Sequence, residues 1–160
     1  NGPGTLILTG ASPYTGTTTV NAGTLRLGLS GSIGGSTNIA VMTNALLIVE
    51  STGGGLGDNA FIDLKAGAGY GKMHLTNGVN ETVGILMFNS VTQESGTWGS
   101  TASSAAHKDN NFFSGVGVLN VLKGKPSVNN DSGAAPVTGT SATLRINLAA
   151  TGGAPTEVWI

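Results

Sequence analysis

Apolar and polar residues alternate in short runs along this chain. Thr5-Leu6-Ile7-Leu8-Thr9, Thr24-Leu25-Arg26-Leu27, Ile39-Ala40-Val41-Met42, Leu46-Leu47-Ile48-Val49, Phe61-Ile62-Asp63-Leu64 and Lys72-Met73-His74-Leu75 are bounded by clusters of Gly, Ser, Thr and Asn. Residues two apart on a strand face the same side, so these runs predict half-buried strands. A longer apolar run covers Val83 to Phe88, and Val116 to Leu122 closes the series. No long stretch carries the i, i+3, i+4, i+7 spacing of an amphipathic helix. The expected fold class is all-β.

The runs also repeat. Gly4-Thr5-Leu6-Ile7-Leu8 returns 19 residues later as Gly23-Thr24-Leu25-Arg26-Leu27, and Leu46-Leu47-Ile48-Val49 follows Leu25 by 21 residues. Periods of about 20 residues with one or two strands each are the mark of a solenoid. Each coil stacks on the last and adds its inward Leu, Ile and Val to one continuous column. A single coil cannot bury its own face, so stacking supplies the stability.

Composition fits this picture. Of 160 residues, 27 are Gly, 20 Thr, 14 Ser and 14 Asn. Gly and Asn suit corners that need positive φ, and Thr suits exposed strand positions. Leu, Ile, Val and Phe make up 39 residues, enough for a folded core. Charged residues are only 9%, the net charge is −1, and there is no Cys. No basic surplus exists to neutralise phosphates, so nucleic acid is not an expected partner. No apolar run approaches the ~20 residues of a membrane helix. Disulfides and thiolate metal sites are excluded. Asn1-Gly2-Pro3 does not look like a natural start, so the chain reads as an excerpt whose lower edge continues into preceding coils.

Two stretches carry a family resemblance. Gly4-Thr-Leu-Ile-Leu-Thr-Gly-Ala-Ser-Pro-Tyr-Thr-Gly16 and Thr17-Thr-Thr-Val-Asn-Ala-Gly-Thr-Leu-Arg-Leu-Gly28 resemble the autotransporter-associated β-strand repeat. Ser12-Pro13 stands where that repeat has Asn-Thr, and the loop after Gly16 is one residue short. Downstream, Val83-Gly-Ile-Leu-Met-Phe, Ser95-Gly-Thr-Trp-Gly-Ser-Thr101 and Phe113-Ser-Gly-Val-Gly-Val-Leu-Asn-Val121 are similar to the closing coils of such repeats. Trp98 takes a place where Tyr is commoner. The resemblance spans roughly Gly4 to Lys123. It implies a right-handed parallel β-helix, a passenger-type bacterial segment secreted to the cell surface or beyond.

Residues 1–123 are thus expected to form the β-solenoid, with 124–126 as linker. Residues 127–160 resemble the opening strands of a fibronectin-III-like or Ig-like sandwich. Val137, Ala142, Leu144, Ile146 and Leu148 alternate as one buried face, and Trp159 takes the place of the core Trp. A full sandwich needs about 7 strands and ~100 residues. Either the remaining strands are missing from the chain, or Ser141–Leu148 and Thr156–Ile160 pair with the exposed edge of another subunit. The latter would make a homopolymer.

Candidate chemistry is sparse. The acidic residues Glu50, Asp58, Asp63, Glu81, Glu94, Asp109, Asp131 and Glu157 are scattered, whereas glycosidic acid–base work needs two converging carboxyls. Asp63 and His74 are expected to face outward on different strands. His107 falls in a polar loop, and two isolated His do not make a metal site. Gly54-Gly55-Leu56-Gly57-Asp58-Asn59-Ala60-Phe61 is similar to the Ca²⁺-binding β-roll repeat, with Asn59 in the Asp position. Ca²⁺ is therefore the one candidate cofactor, although turn formation explains the loop more simply. The Gly67–Gly71 loop lacks phosphate-loop spacing. Asn80-Glu81-Thr82 and Asn130-Asp131-Ser132 match the N-glycosylation pattern. Tyr14, Tyr70, Trp98 and Phe112-Phe113 are too spread out for a sugar platform, and Trp98 is expected to cap the apolar column. No catalytic, cofactor-binding or metal residues are expected. The reading is a non-enzymatic, extracellular, structural or adhesive segment that self-associates into a fibre by strand pairing, with surface glycans as a further partner class. The alternative is a carbohydrate-binding or carbohydrate-active parallel β-helix.

Overall fold

The computed structural model describes residues 2–125, 127–129 and 147–150. These residues form strands, turns and loops, with no helix among them. The chain winds through about four turns of a β-solenoid. The first sheet stacks β1 (Thr5–Leu8), β3 (Thr24–Leu27), β5 (Leu46–Val49), β7 (Lys72–Leu75) and β13 (Phe113–Gly115), all parallel. The second stacks β2 (Thr18–Val20), β4 (Asn38–Val41), β6 (Phe61–Leu64) and β9 (Ile85–Phe88) in parallel, then β10 (Val91–Thr92) antiparallel. A third begins with β8 (Asn80–Val83) and β14 (Val118–Val121) in parallel. It continues with β11 (Gly96–Gly99), antiparallel to β14, and β12 (His107–Lys108).

Register turns the alternating runs into columns. Leu6, Leu25, Leu47, Met73 and Phe113 are partners in the first sheet, as are Leu8, Leu27, Val49 and Leu75. In the second, Thr18, Ile39, Ile62 and Leu86 align, and so do Val20, Val41, Leu64 and Phe88. From the second coil upward these inward side chains are buried, most of them completely, except Phe88, which is half-buried. Burial at ~25 cal/mol per Å² of apolar surface makes this column the main source of stability.

The column corrects one alignment. The sequence spacing set Leu46 against Leu25, but Leu25 pairs with Leu47, and Leu46 with Thr24. Leu46-Leu47-Ile48-Val49 is apolar at every position, so alternation alone cannot choose its face. The choice is made by the preceding turn, where Asn44 sits at φ 62° and Ala45 N–H bonds to Met42 O. Successive rungs of the first sheet begin 19, 22 and 26 residues apart, so the repeat lengthens along the chain.

Local chemistry fixes the corners. Gly23, at φ 71°, opens β3, and a side chain there would strike the Gly2 and Gly4 carbonyl oxygens. The Val83–Phe88 run, expected as one segment, is divided at Gly84. This residue packs against the Asn59 backbone and donates its N–H to Ala60 O. Val83 therefore ends β8, and Ile85 starts β9 on the next face.

Beyond the solenoid, β15 (Ser127–Asn129) and β16 (Asn147–Ala150) form an antiparallel pair. β16 overlaps the end of the run expected at Ser141–Leu148. The positions expected to form a sandwich face, the Thr156–Ile160 strand and Trp159 lie outside the described residues or have side chains outside them. No described helix is long and apolar enough to cross a membrane.

Candidate functional site

The described coils differ along the solenoid. At the upper end the chain leaves the coil after β9 and returns at β13. The excursion opens with a two-residue hairpin turn, Asn89 at φ 50° and Ser90 at φ 68°. Positive φ at both central residues suits the right-handed twist of a hairpin. Asp63 on the neighbouring β6 holds this turn. Its Oδ1 accepts the Ser90 N–H at 3.0 Å and its Oδ2 the Ser90 hydroxyl at 3.1 Å. Lys65 Nζ donates to Asp63 Oδ2 at 2.5 Å and to Ser90 Oγ at 2.7 Å.

The rest of the excursion closes the column with rings. Phe88 stacks on Phe112 at 4.0 Å and meets Trp98 edge-on at 5.3 Å. Trp98, in β11, is buried, and its indole N–H donates to Glu94 O at 2.9 Å. His107 does not sit in a loop as expected. It lies in β12 and stacks on Trp98 with centroids 4.6 Å apart. Tyr70 packs edge-on to Phe112. Trp98 thus lies in the ring cluster over the end of the column, where a cap was expected.

At the lower end the described residues start with the coil of β1 and β2. Among the described residues β1 and β2 each have one unpaired edge. Leu6 is 60% exposed, whereas its ladder partner Leu25 is buried. A mouth of about 410 Å³ opens between the two strands, walled by Leu6, Leu8, Val20 and Leu25. Tyr14 and Thr18 line its polar side. Tyr14 Oη lies 2.5 Å from Thr18 Oγ1, which lies 2.8 Å from Ser36 Oγ; Ser36 donates onward to Gly16 O at 2.7 Å.

The third side holds a carboxylate that the sequence did not single out. In the lower coils this side is stitched by the main chain: Ser12 N–H donates to Ser32 O, and Ile33 N–H to Gly55 O, both at 2.8 Å. At the next step the acceptor is a side chain. Glu81, buried on β8, takes the Leu56 N–H on Oε1 at 2.7 Å and the Gly55 N–H on Oε2 at 3.1 Å. Its carboxylate takes the accepting role that main-chain carbonyls hold in the coils below. Burial pushes the Glu81 carboxyl above the usual carboxylate range; the Leu56 and Gly55 N–H groups pull it back, and the nearby Asp58 charge adds to the rise. The signal for it was the N-E-T-V alternation, with Glu81 and Val83 on the same face.

The remaining candidates fall into place around these features. The Gly54–Phe61 loop turns N–H donors toward Glu81, which is the reverse of the oxygen cage Ca²⁺ requires. Among the described residues, no three His, Asp or Glu side chains gather closely enough to hold a metal ion. Asp63 lies on the second sheet and His74 on the first, each with its own partners. His74 Nδ1 is 2.9 Å from Ser114 Oγ, a pair joined across 40 residues by the β7–β13 ladder. Glu50 is paired with Arg26 of the coil below at 2.8 Å. Asp109 accepts the N–H of Asn111 and Asn110 that of Thr101, which is turn chemistry. Asn80 is exposed, and its Oδ1 accepts from Asn120 Nδ2 at 2.6 Å. Asp131, Glu157 and the Asn130-Asp131-Ser132 pattern lie outside the described residues.

Comparison with known proteins adds one match: residues 1–27 fit the family described as Passenger-associated-transport-repeat. That segment covers β1, β2 and β3, the first turn of the solenoid. No curated protein and no solved structure shows significant similarity to the chain.

Proposed function

We propose, on the premise that β1 to β3 form a passenger-associated-transport repeat, that this chain is a segment of an extracellular, non-enzymatic, passenger-type rod. Its role is structural or adhesive, and it self-associates end to end by strand pairing. The observation that supports this reading is the stack of parallel rungs Thr5–Leu8, Thr24–Leu27, Leu46–Val49 and Lys72–Leu75, in which each coil joins the next by main-chain pairing and a shared aliphatic column. Rungs of this kind accept further strands by the same pairing.

The carbohydrate-active reading requires converging carboxyls. Here Glu50 is paired with Arg26, Asp63 is bound to Lys65 and Ser90, and Glu81 is buried against backbone N–H groups. The fold gives these three groups separate structural duties.

Electron microscopy of purified chain over a concentration series tests the proposal. Fibres or short rods with a regular subunit rise are the expected result. Dispersed monomers at all concentrations, confirmed by sedimentation, would overturn it.

A further inference from the structure

We infer that Asn77 is a self-modification site: in the folded chain the Asn77-Gly78 turn between β7 and β8 deamidates through a cyclic imide, turning a neutral side chain into a carboxylate. The inference stands apart from self-association, and its only co-reactant is water.

The turn leaves the reacting atoms open. It is closed by the Val79 N–H, which donates to Thr76 O at 3.2 Å. Gly78 is its third residue and sits at φ 82°, the left-handed position that type II turns give to Gly. Asn77 and Gly78 are both exposed. Neither the Asn77 amide group nor the Gly78 N–H has a hydrogen-bond partner among the described residues. A side chain built on Gly78 would meet nothing nearer than Thr52 Cγ2 at 3.8 Å.

The structure separates this asparagine from others. The attacking group is the backbone nitrogen of the next residue, so a nitrogen already engaged, or shielded by a side chain, is a poor nucleophile. After Asn44 and Asn59 that N–H is held by Met42 O and Gly57 O. After Asn89 it is held by Asp63 Oδ1. Asn38, Asn80 and Asn120 lie in paired strands that fix the backbone. The chain's other Asn-Gly pair, Asn1-Gly2, begins outside the described residues.

The step balances without an oxidant or a metal. Gly78 N gives up its proton to hydroxide and bonds to Asn77 Cγ. The Cγ–Nδ2 bond breaks, and ammonia leaves with a proton from water. Water then opens the imide. Cleavage of the new Cγ–N bond gives aspartate. Cleavage at the original main-chain carbonyl gives isoaspartate, with the chain running through Cγ. One water is taken up and one ammonia released. Isoaspartate also adds a backbone carbon between Thr76 and Val79. Val79 is buried, and its carbonyl receives the Val118 N–H at 2.9 Å, so the lengthened turn strains the start of β8.

Ageing the whole chain in neutral and in mildly alkaline buffer, followed by peptide mapping with fragmentation that distinguishes isoaspartate from aspartate, tests this. Both products are expected at Asn77, faster in the alkaline buffer, at a rate comparable to that of a free peptide covering residues 72–83. Asn44, Asn59 and Asn89 should stay intact over the same period, and mapping reads Asn1 separately. Asn77→Gln should abolish the reaction, and Gly78→Ala should slow it; the urea midpoints of both variants show whether they stay folded. The aged fraction rich in isoaspartate should unfold at lower urea than fresh protein. An intact Asn77 in the folded chain, whether or not the peptide reacts, would overturn the inference. So would earlier reaction at Asn44, Asn59 or Asn89.

Discussion

Glu81 and Leu56 are joined by a 2.7 Å hydrogen bond in which a buried side-chain carboxylate receives a backbone N–H from the coil below. Together with the Gly55 bond, it replaces the main-chain stitching of the third side at the level of β8. Glu81→Ala would leave both donors without their acceptor. Each unsatisfied buried donor costs about 1–3 kcal/mol, so a marked loss of stability is expected in urea unfolding. Glu81→Gln keeps one acceptor and should fall between Glu81→Ala and wild type.

The same residue sets a pH dependence. Burial raises its folded-state pKa above the ordinary value of 4.5, so the folded chain holds the proton more tightly than the unfolded one. The Glu81 contribution is then fully present below the unfolded value and declines as pH rises through the folded value. Glu81→Gln cannot titrate. The stability of wild type relative to Glu81→Gln, read from urea midpoints, should fall as the pH rises from the ordinary value of 4.5 through the raised folded-state value. A flat difference would refute the assignment.

Asp63→Ala tests the support of the hairpin. Ser90 occupies left-handed φ without being Gly, and Asp63 holds it by two hydrogen bonds. Loss of the carboxylate is expected to cost roughly 1.5–3 kcal/mol, the range for hydrogen bonds to charged groups. Amide exchange should quicken at Ser90 and at Gln93, whose N–H bonds back to Leu86 O. Unchanged exchange at both sites would show that the turn holds itself.

Trp98→Ala removes the ring that meets Phe88 and His107. Truncating a buried Trp costs about 3–5 kcal/mol. Proteolysis should begin within residues 89–111 in this variant, ahead of the lower coils. Trp98→Phe should restore most of the loss.

Gly23→Ala probes the repeat itself. The left-handed φ of 71° and the approach of the Gly2 and Gly4 carbonyls both oppose a side chain. Destabilisation by at least about 1 kcal/mol is expected, beyond the helical or strand preference of Ala. Gly16→Ala, where a side chain meets open space, is the matched control.

Much of the lower rod was legible because one signal repeats there. Thr24-Leu25-Arg26-Leu27 and Phe61-Ile62-Asp63-Leu64 alternate cleanly, and their inward residues are the buried ones. The signal weakened where alternation vanished, as at Leu46–Val49, and the face then depended on a turn. It failed in the excursion, where β10 and β11 run antiparallel and β12 is only two residues long. The Glu81 contact joins residues 25 apart on different coils, and His74 meets Ser114 across 40. Such pairings depend on loop lengths that no local pattern encodes.

The lid of rings has a consequence for how such a rod can change over generations. It covers the column at the level of β13 whatever lies beneath, and the coils below meet their neighbours through the same aliphatic columns. Duplicating or deleting a whole coil of about 20 residues would change the height of the stack by ~4.8 Å while leaving the ring cluster intact. Length becomes a countable, inheritable trait, adjusted in whole rungs.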